Sequence, residues 1–163
     1  MLTDKERSIL HGVGNTSLLA LCHVVPENGA RILLKLENEN PTGSMKDRMA
    51  LAMIETAEAD GRLAANGPVV EYTGGSTGVS LSFVCAVKRH PLHIVTSDAF
   101  AREKLDHMRI LGATLHVVPS EEGRMTKELT QNMIEAARAI AKEHGSFWTN
   151  QLHNKDQISS AIW

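Results

Sequence analysis

At 163 residues, with 42% hydrophobic and 22% charged side chains, the chain has the size and composition of one ordinary globular domain. Its net charge of −2 gives no electrostatic reason to expect nucleic acid or an anionic membrane as partner. An aromatic content of 4% argues against base-stacking platforms. Cys22 and Cys85 lie far apart and form no C-x-x-C pair, so two reduced thiols are expected, with Cys85 acting as a small hydrophobe in an apolar run. No charged segment followed by an apolar one opens the chain, and no apolar run reaches the length of a membrane span. A cytoplasmic protein is therefore expected. The 8 histidines make no H-E-x-x-H or clustered pattern, and no metal site is expected.

In chain order the pattern alternates strands and helices. Residues 31–37 read as a strand. Residues 44–60 read as a helix ended by Gly61, with Met45, Met49 and Met53 as a core stripe. A short strand at 68–72 leads to a helix at 77–89 that is apolar almost throughout over 79–87. A strand at 92–96, a helix at 101–111 stopped by Gly112, a strand at 115–118, a long helix at 124–144 and a last strand at 147–149 follow. This order predicts an α/β fold, a parallel sheet with helices on both faces. The apolar helix at 79–87 suits burial against such a sheet. The chain closes on an apolar segment, 157–163, of the kind that a partner or further chain covers.

Two segments carry chemistry. In the first, Asn40-Pro41-Thr42-Gly43-Ser44-Met45-Lys46-Asp47-Arg48, Pro41 and Gly43 make a turn and Ser44 is placed to cap the helix. Lys46 falls in the first helical turn, and Met49, Ala50, Met53 and Ala57 lie three, four, seven and eleven residues later on the same face. Burial and the positive end of a helix both disfavour an ammonium, and a neutral amine so placed can form a Schiff base. The plain alternative is a lysine that lays its stem over the stripe and keeps its charge in water, beside an ordinary first-turn Asp47.

The second segment, Thr73-Gly74-Gly75-Ser76-Thr77-Gly78, follows a strand and opens a helix. Its glycines let backbone approach a ligand, and the N–H groups of a helix start attract anions. Thr73, Ser76 and Thr77 add hydroxyls. The segment is neither a Walker loop nor a dinucleotide fingerprint. It reads as a cradle for a carboxylate or phosphate, or as a tight turn that binds nothing.

Taken together, the segments make the chain resemble the cysteine synthase (O-acetylserine sulfhydrylase) family and its cystathionine β-synthase relatives. Gly14-Asn15-Thr16-Ser17-Leu18 resembles the family's Gly-Asn-Thr-Pro-Leu, and Leu34-Lys35-Leu36-Glu37 leads into its Asn-Pro-x-Gly-Ser-x-Lys-Asp-Arg motif at Asn40 to Arg48. The resemblance covers essentially the whole of 1–163 as the N-terminal, lysine-bearing portion of a second-class pyridoxal-phosphate fold. It implies that Lys46 holds pyridoxal 5'-phosphate and is catalytic. It implies that Thr73, Gly74, Gly75 and Thr77, matching Thr-Ser-Gly-Asn-Thr-Gly, bind the substrate carboxylate together with Gln151. Ser76 stands where the family's asparagine meets the cofactor's ring hydroxyl, Gly74 replaces a serine, and Ser17 replaces a proline.

The family's later glycine-rich phosphate loop has no match after Gly78. The reaction implied is β-replacement, forming L-cysteine from O-acetylserine and sulfide. Also implied are a small amino-acid substrate, a homodimer, and docking of the serine acetyltransferase tail. Two other readings stay open: a lyase or deaminase of the same family, and a truncated, inactive chain that acts as a binding module.

Overall fold

A computed structural model describes residues 8–23, 25–26 and 28–156. The apolar closing segment 157–163 and the first seven residues therefore lie outside the described residues. A 3-10 turn, Ile9–Gly12, precedes β1 (Leu18–Ala20) and β2 (Leu33–Lys35), and a second, Glu37–Glu39, precedes α1 (Lys46–Ala59). Then β3 (Val69–Tyr72), α2 (Ser76–Lys88), β4 (Leu92–Ser97), α3 (Arg102–Ile110), β5 (Thr114–Val118), α4 (Lys127–His144) and β6 (Phe147–Trp148) alternate without a break. The strands β3 to β6 form one sheet in the order β5-β4-β3-β6, every pair parallel.

The strand expected at 31–37 forms only over Leu33–Lys35, and it joins β1 in a separate antiparallel pair, Leu19 opposite Leu34. The sequence reading passes over β1 because three residues are too few to show a period. Leu18 and Leu19 are 57% and 50% exposed, and Leu33 and Leu34 both 46%, so this apolar ribbon has little cover. The helix expected from 124 starts at Lys127, where the Thr126 hydroxyl accepts from the Leu129 N–H at 3.0 Å. In the methionine stripe, Met49 and Met53 are buried, while Met45 precedes the first helical residue and is exposed.

Strand alternation divides the core between the two faces of the sheet. Val69 and Ile94 pack with Met53 and Ile54 of α1, Leu81 and Val84 of α2, and Leu105 and Met108 of α3. Their neighbours Val70 and Val95 point the other way, onto Leu129, Met133, Ala137 and Ile140 of α4. The α4 residues follow at intervals of four, four and three, one stripe of a helix. Each fully buried side chain of this size stabilises the fold by about 1.5–3 kcal/mol. Cys85 is buried in the first cluster, and burial, reinforced by Glu58, pushes its thiol up to about 12.

The connections decide where a ligand sits. From β3 the chain steps through α2 to β4 and through α3 to β5, then returns by α4 to β6 on the opposite side of β3. The sheet order therefore reverses between β3 and β6. In open parallel sheets the crevice beyond the carboxyl ends of the strands at such a reversal is the usual ligand site.

Candidate ligand site at the reversal of the sheet

The loop leaving β3 at that crevice is Thr73 to Gly78. The Thr73 N–H donates to the Val95 carbonyl at 2.9 Å, carrying the β3–β4 ladder one residue further, and the Gly75 N–H donates to Thr73 Oγ1 at 3.3 Å. Gly75 then caps α2 without a side chain. Among the described residues the N–H groups of Ser76 and Thr77 meet no acceptor, so the helix start presents free donors and the positive end of its dipole. A Cβ at Gly75 would meet nothing within 4 Å, so the loop faces open space there. The half-buried Ser76 hydroxyl has no partner among the described residues. At Gly78 a Cβ would lie 2.7 Å from Met108 and 2.8 Å from Thr73, so glycine lets α2 and α3 close behind the loop.

Gln151, just past β6, meets this loop from across the crevice. Thr77 Oγ1 donates to Gln151 Oε1 at 2.7 Å. In this arrangement the Thr77 hydroxyl proton is engaged by Gln151. The Gln151 backbone is held by Glu71, whose Oε2 accepts the Gln151 N–H at 3.0 Å and the Thr149 hydroxyl, while Oε1 accepts the Tyr72 N–H at 2.9 Å. Glu71 is 0% exposed. Burial pushes its carboxyl above the ordinary range, and these donors pull it part of the way back. The sequence reading missed Glu71, although a charge inside the buried strand segment Val69-Val70-Glu71-Tyr72 was the available signal.

The lysine segment lies beside the loop. Ser44 Oγ accepts the Lys46 N–H at 3.2 Å, but the cap position falls on Met45 and not on the expected Ser44, and no side-chain hydrogen bond from that position caps the helix. Lys46 is half-buried at the head of α1, in line with the buried Met49, Ala50, Met53 and Ala57. Its ammonium has no hydrogen bond or ion pair among the described residues. Asp47 is not an ordinary solvent-facing acid. It is 0% exposed, and it accepts the Thr42 N–H at 2.7 Å and the Thr42 hydroxyl. With that proton engaged, Ser80 donates its own to Thr42 Oγ1 at 3.3 Å. The turn before Lys46 is thereby tied to the first turns of α2, which packs against α1.

A second network fixes the same turn from outside. Arg48 donates twice to Glu37, at 2.9 and 3.0 Å, and once to Thr16 Oγ1 at 3.1 Å. Thr16 donates to Glu37 at 3.0 Å, Asn40 Nδ2 donates to Glu37 at 2.8 Å, and Asn40 Oδ1 accepts the Gly14 N–H at 2.9 Å. Lys35 Nζ donates to the Thr16 carbonyl. A Cβ at Gly14, whose φ is +87°, would lie 2.7 Å from the Arg48 guanidinium. The Arg48 hydrogen bond, against a smaller opposing effect of burial, lowers the Glu37 carboxyl to about 2. The segments Gly14 to Leu18, Leu34 to Glu37 and Asn40 to Arg48 are thus one scaffold around the start of α1.

An unpartnered half-buried amine, a free hydroxyl at Ser76, free helix N–H groups and open space at Gly75 fit a cofactor that offers an aldehyde to the amine and oxygen substituents to the loop. Among the described residues no group of three or more His, Cys, Asp or Glu is arranged to hold a metal ion, and no helix is long and apolar enough to cross a membrane.

A parallel α/β sheet with a helix-start lysine on α1, packed against the helix that follows a glycine-rich loop at the sheet reversal, is an architecture found in one class of cofactor-dependent enzyme. Residues 9–162 match the family described as pyridoxal-phosphate dependent enzyme, and the chain belongs to that family. It is 37% identical over 142 residues to the cysteine synthase of Staphylococcus aureus, covering 87% of this chain and 44% of that protein. The structure superposes on that of an O-ureido-L-serine synthase with a TM-score of 0.86 and 30% identity, over 94% of this chain and 46% of the other. It superposes on O-acetyl serine sulfhydrylase isoform 3 of Entamoeba histolytica with a TM-score of 0.84 and 30% identity, over 100% and 50%. The chain spans less than half the length of the curated relative.

Proposed function

We propose that this chain is the lysine-bearing half of a pyridoxal-phosphate enzyme that makes L-cysteine from O-acetylserine and sulfide by β-replacement. The observation that carries the reading is the Lys46 amine, without a partner among the described residues, held at the head of α1 by a turn that Thr42 and Ser80 tie to the helix following the loop. Relatives named cysteine synthase support the same assignment.

In this reading Lys46 Nζ holds the cofactor, and the Ser76 hydroxyl faces the cofactor ring from the loop. When bound, the cofactor supplies an electron sink for charge developing at the substrate's α-carbon. Thr73, Gly74, Gly75, Thr77 and Gln151 form the carboxylate cradle, in which the N–H groups at the start of α2 do the binding and Gln151 closes the far side. Once free of the cofactor, Lys46 Nζ takes the α-proton. The substrate is a small amino acid. The unpaired Cys22 and Cys85 support placing the reaction in a reducing compartment, the cytoplasm. The exposed ribbon of Leu18, Leu19, Leu33 and Leu34 suits a larger fold in which further chain covers it.

The test is to add pyridoxal phosphate to the purified chain, reduce with borohydride and map the labelled peptide. Label at Lys46 followed by sulfide-dependent cysteine formation from O-acetylserine supports the reading. Label with pyruvate formed irrespective of sulfide assigns a lyase instead. Label scattered over surface lysines leaves a binding module without catalysis.

A further inference from the structure

Three histidines that show no pattern along the chain meet on one face of the sheet. His93 is the second residue of β4, His116 the third of β5, and His144 the last of α4. His116 stands opposite Val95 in the β4–β5 register, and Val95 packs against α4. His93, two residues before Val95, and His116 therefore both lie on the α4 side. His93 Nδ1 is 3.1 Å from His116 Nε2, and the His144 ring stacks on that of His93 at 4.8 Å and 9°. With His93 near the start of β4, the cluster sits toward the amino ends of the strands, away from the crevice at their carboxyl ends.

This pair differs from a histidine that serves the core. His90, with a side chain 0% exposed, has both ring nitrogens engaged, Nδ1 with the Gly67 carbonyl at 2.9 Å and Nε2 with Glu58 at 3.0 Å. His93 and His116 are half-buried, and their ring nitrogens have no hydrogen-bond partner among the described residues except each other. Two nitrogens so placed are joined by one shared proton or by one shared cation.

The spacing suits a cation. Nitrogens about 2.0–2.1 Å from a metal are about 2.9 Å apart at a right angle and about 3.4 Å apart at the tetrahedral angle, and 3.1 Å falls between. Burial first, then His116 and His144, hold the His93 pKa below its ordinary 6.5, which keeps its imidazole in the neutral, ligating form near neutrality. Imidazole nitrogens favour zinc, copper and nickel over calcium and magnesium. His144 offers His93 the face of its ring, so it adds packing and no third ligand.

We propose that His93 and His116 form a two-nitrogen site for a late divalent transition ion such as Zn2+ or Ni2+, with water completing its coordination. The site is independent of the cofactor and substrate readings. It bridges β4 and β5, and an ion bound there only in the folded chain raises stability by mass action.

The test is calorimetric titration of the untagged chain with nickel chloride, in a C22S background that removes the exposed thiol. One site is expected. H93Q and H116Q each weaken it at least about tenfold, a scale that changes around a metal ligand already reach, while H144Q leaves it within about twofold. A second measurement needs no histidine variant. Sub-stoichiometric Ni2+ should broaden the imidazole NMR signals of two histidines ahead of the rest, and these should be the two whose signals H93Q and H116Q remove. Zn2+ should raise the urea midpoint of the C22S chain and leave that of H93Q unmoved. No binding, equal binding by H93Q and H116Q, or broadening centred on other histidines overturns the site.

Discussion

The hydroxyl of Thr77 donates to the side-chain carbonyl of Gln151 at 2.7 Å, joining residues 74 positions apart across the reversal of the sheet. Thr77 is the second residue of α2, and Gln151 follows β6. The contact spans the crevice between β3 and β6, and Glu71 holds its far end in place.

Replacing Thr77 by valine keeps the shape and removes the donor. The hydrogen bond to the half-buried Gln151 carbonyl is then lost, so T77V is expected to lose about 0.5–1.5 kcal/mol of stability. Equilibrium urea unfolding checks this through a lower midpoint at unchanged slope. Hydrogen exchange at the Gln151 amide should quicken more than exchange in α4. Equal quickening in both places would mean a global loss and no particular tie between the two residues.

Asp47 makes a stronger claim. Its carboxylate is the acceptor for both donors of Thr42, in a fully buried place. D47A leaves those donors without an acceptor and is expected to lose about 3 kcal/mol. Borohydride trapping of pyridoxal phosphate at Lys46 should fall as well, because the turn that places Lys46 is loosened. Full trapping in a folded D47A chain would show that the turn holds without Asp47.

The Glu37 network predicts an acid limb of stability. The folded carboxyl sits at about 2, below its ordinary value of 4.5, so the unfolded chain binds the extra proton as pH falls. The stabilisation is complete above about 4.5 and is lost as pH drops toward about 2. Thermal unfolding followed across that window should show a steeper decline for the native sequence than for E37Q. Parallel curves would exclude Glu37 as a source of the slope.

His93 acts in a higher window, chiefly through burial. Its Nδ1 lies 3.1 Å from His116 Nε2, and its ring stacks on His144 at 4.8 Å. Burial first, then the two neighbouring histidines, lower its pKa below the ordinary 6.5. The unfolded chain therefore takes up a proton that the folded chain resists, and stability falls as pH drops below about 6.5. H93L should flatten the curve there without touching the limb set by Glu37. A curve for H93L with the same slope between neutrality and about pH 5.5 would assign that slope to other groups.

The order of strands and helices, the parallel sheet, the lysine helix and the glycine-rich loop after β3 were legible in the sequence because each is written in local signals. These are apolar period, glycine placement and a motif of nine adjacent residues, Asn40 to Arg48. The same signals left β1 unseen and set the α4 start three residues early. For Asp47 the sequence offers only the alternative of an ordinary first-turn acid, since nothing nearby in sequence says that a carboxylate will be sealed against the turn before it.

Tertiary structure alone decided how the pieces meet. That Thr77 gives its proton to Gln151, that Glu71 is buried beneath both, and that Phe100 occupies the place of a side chain at Gly74 depend on β4 and β6 flanking β3. Strand order is a property of long-range pairing, and residues brought together by it carry no periodicity that a reading along the chain can detect.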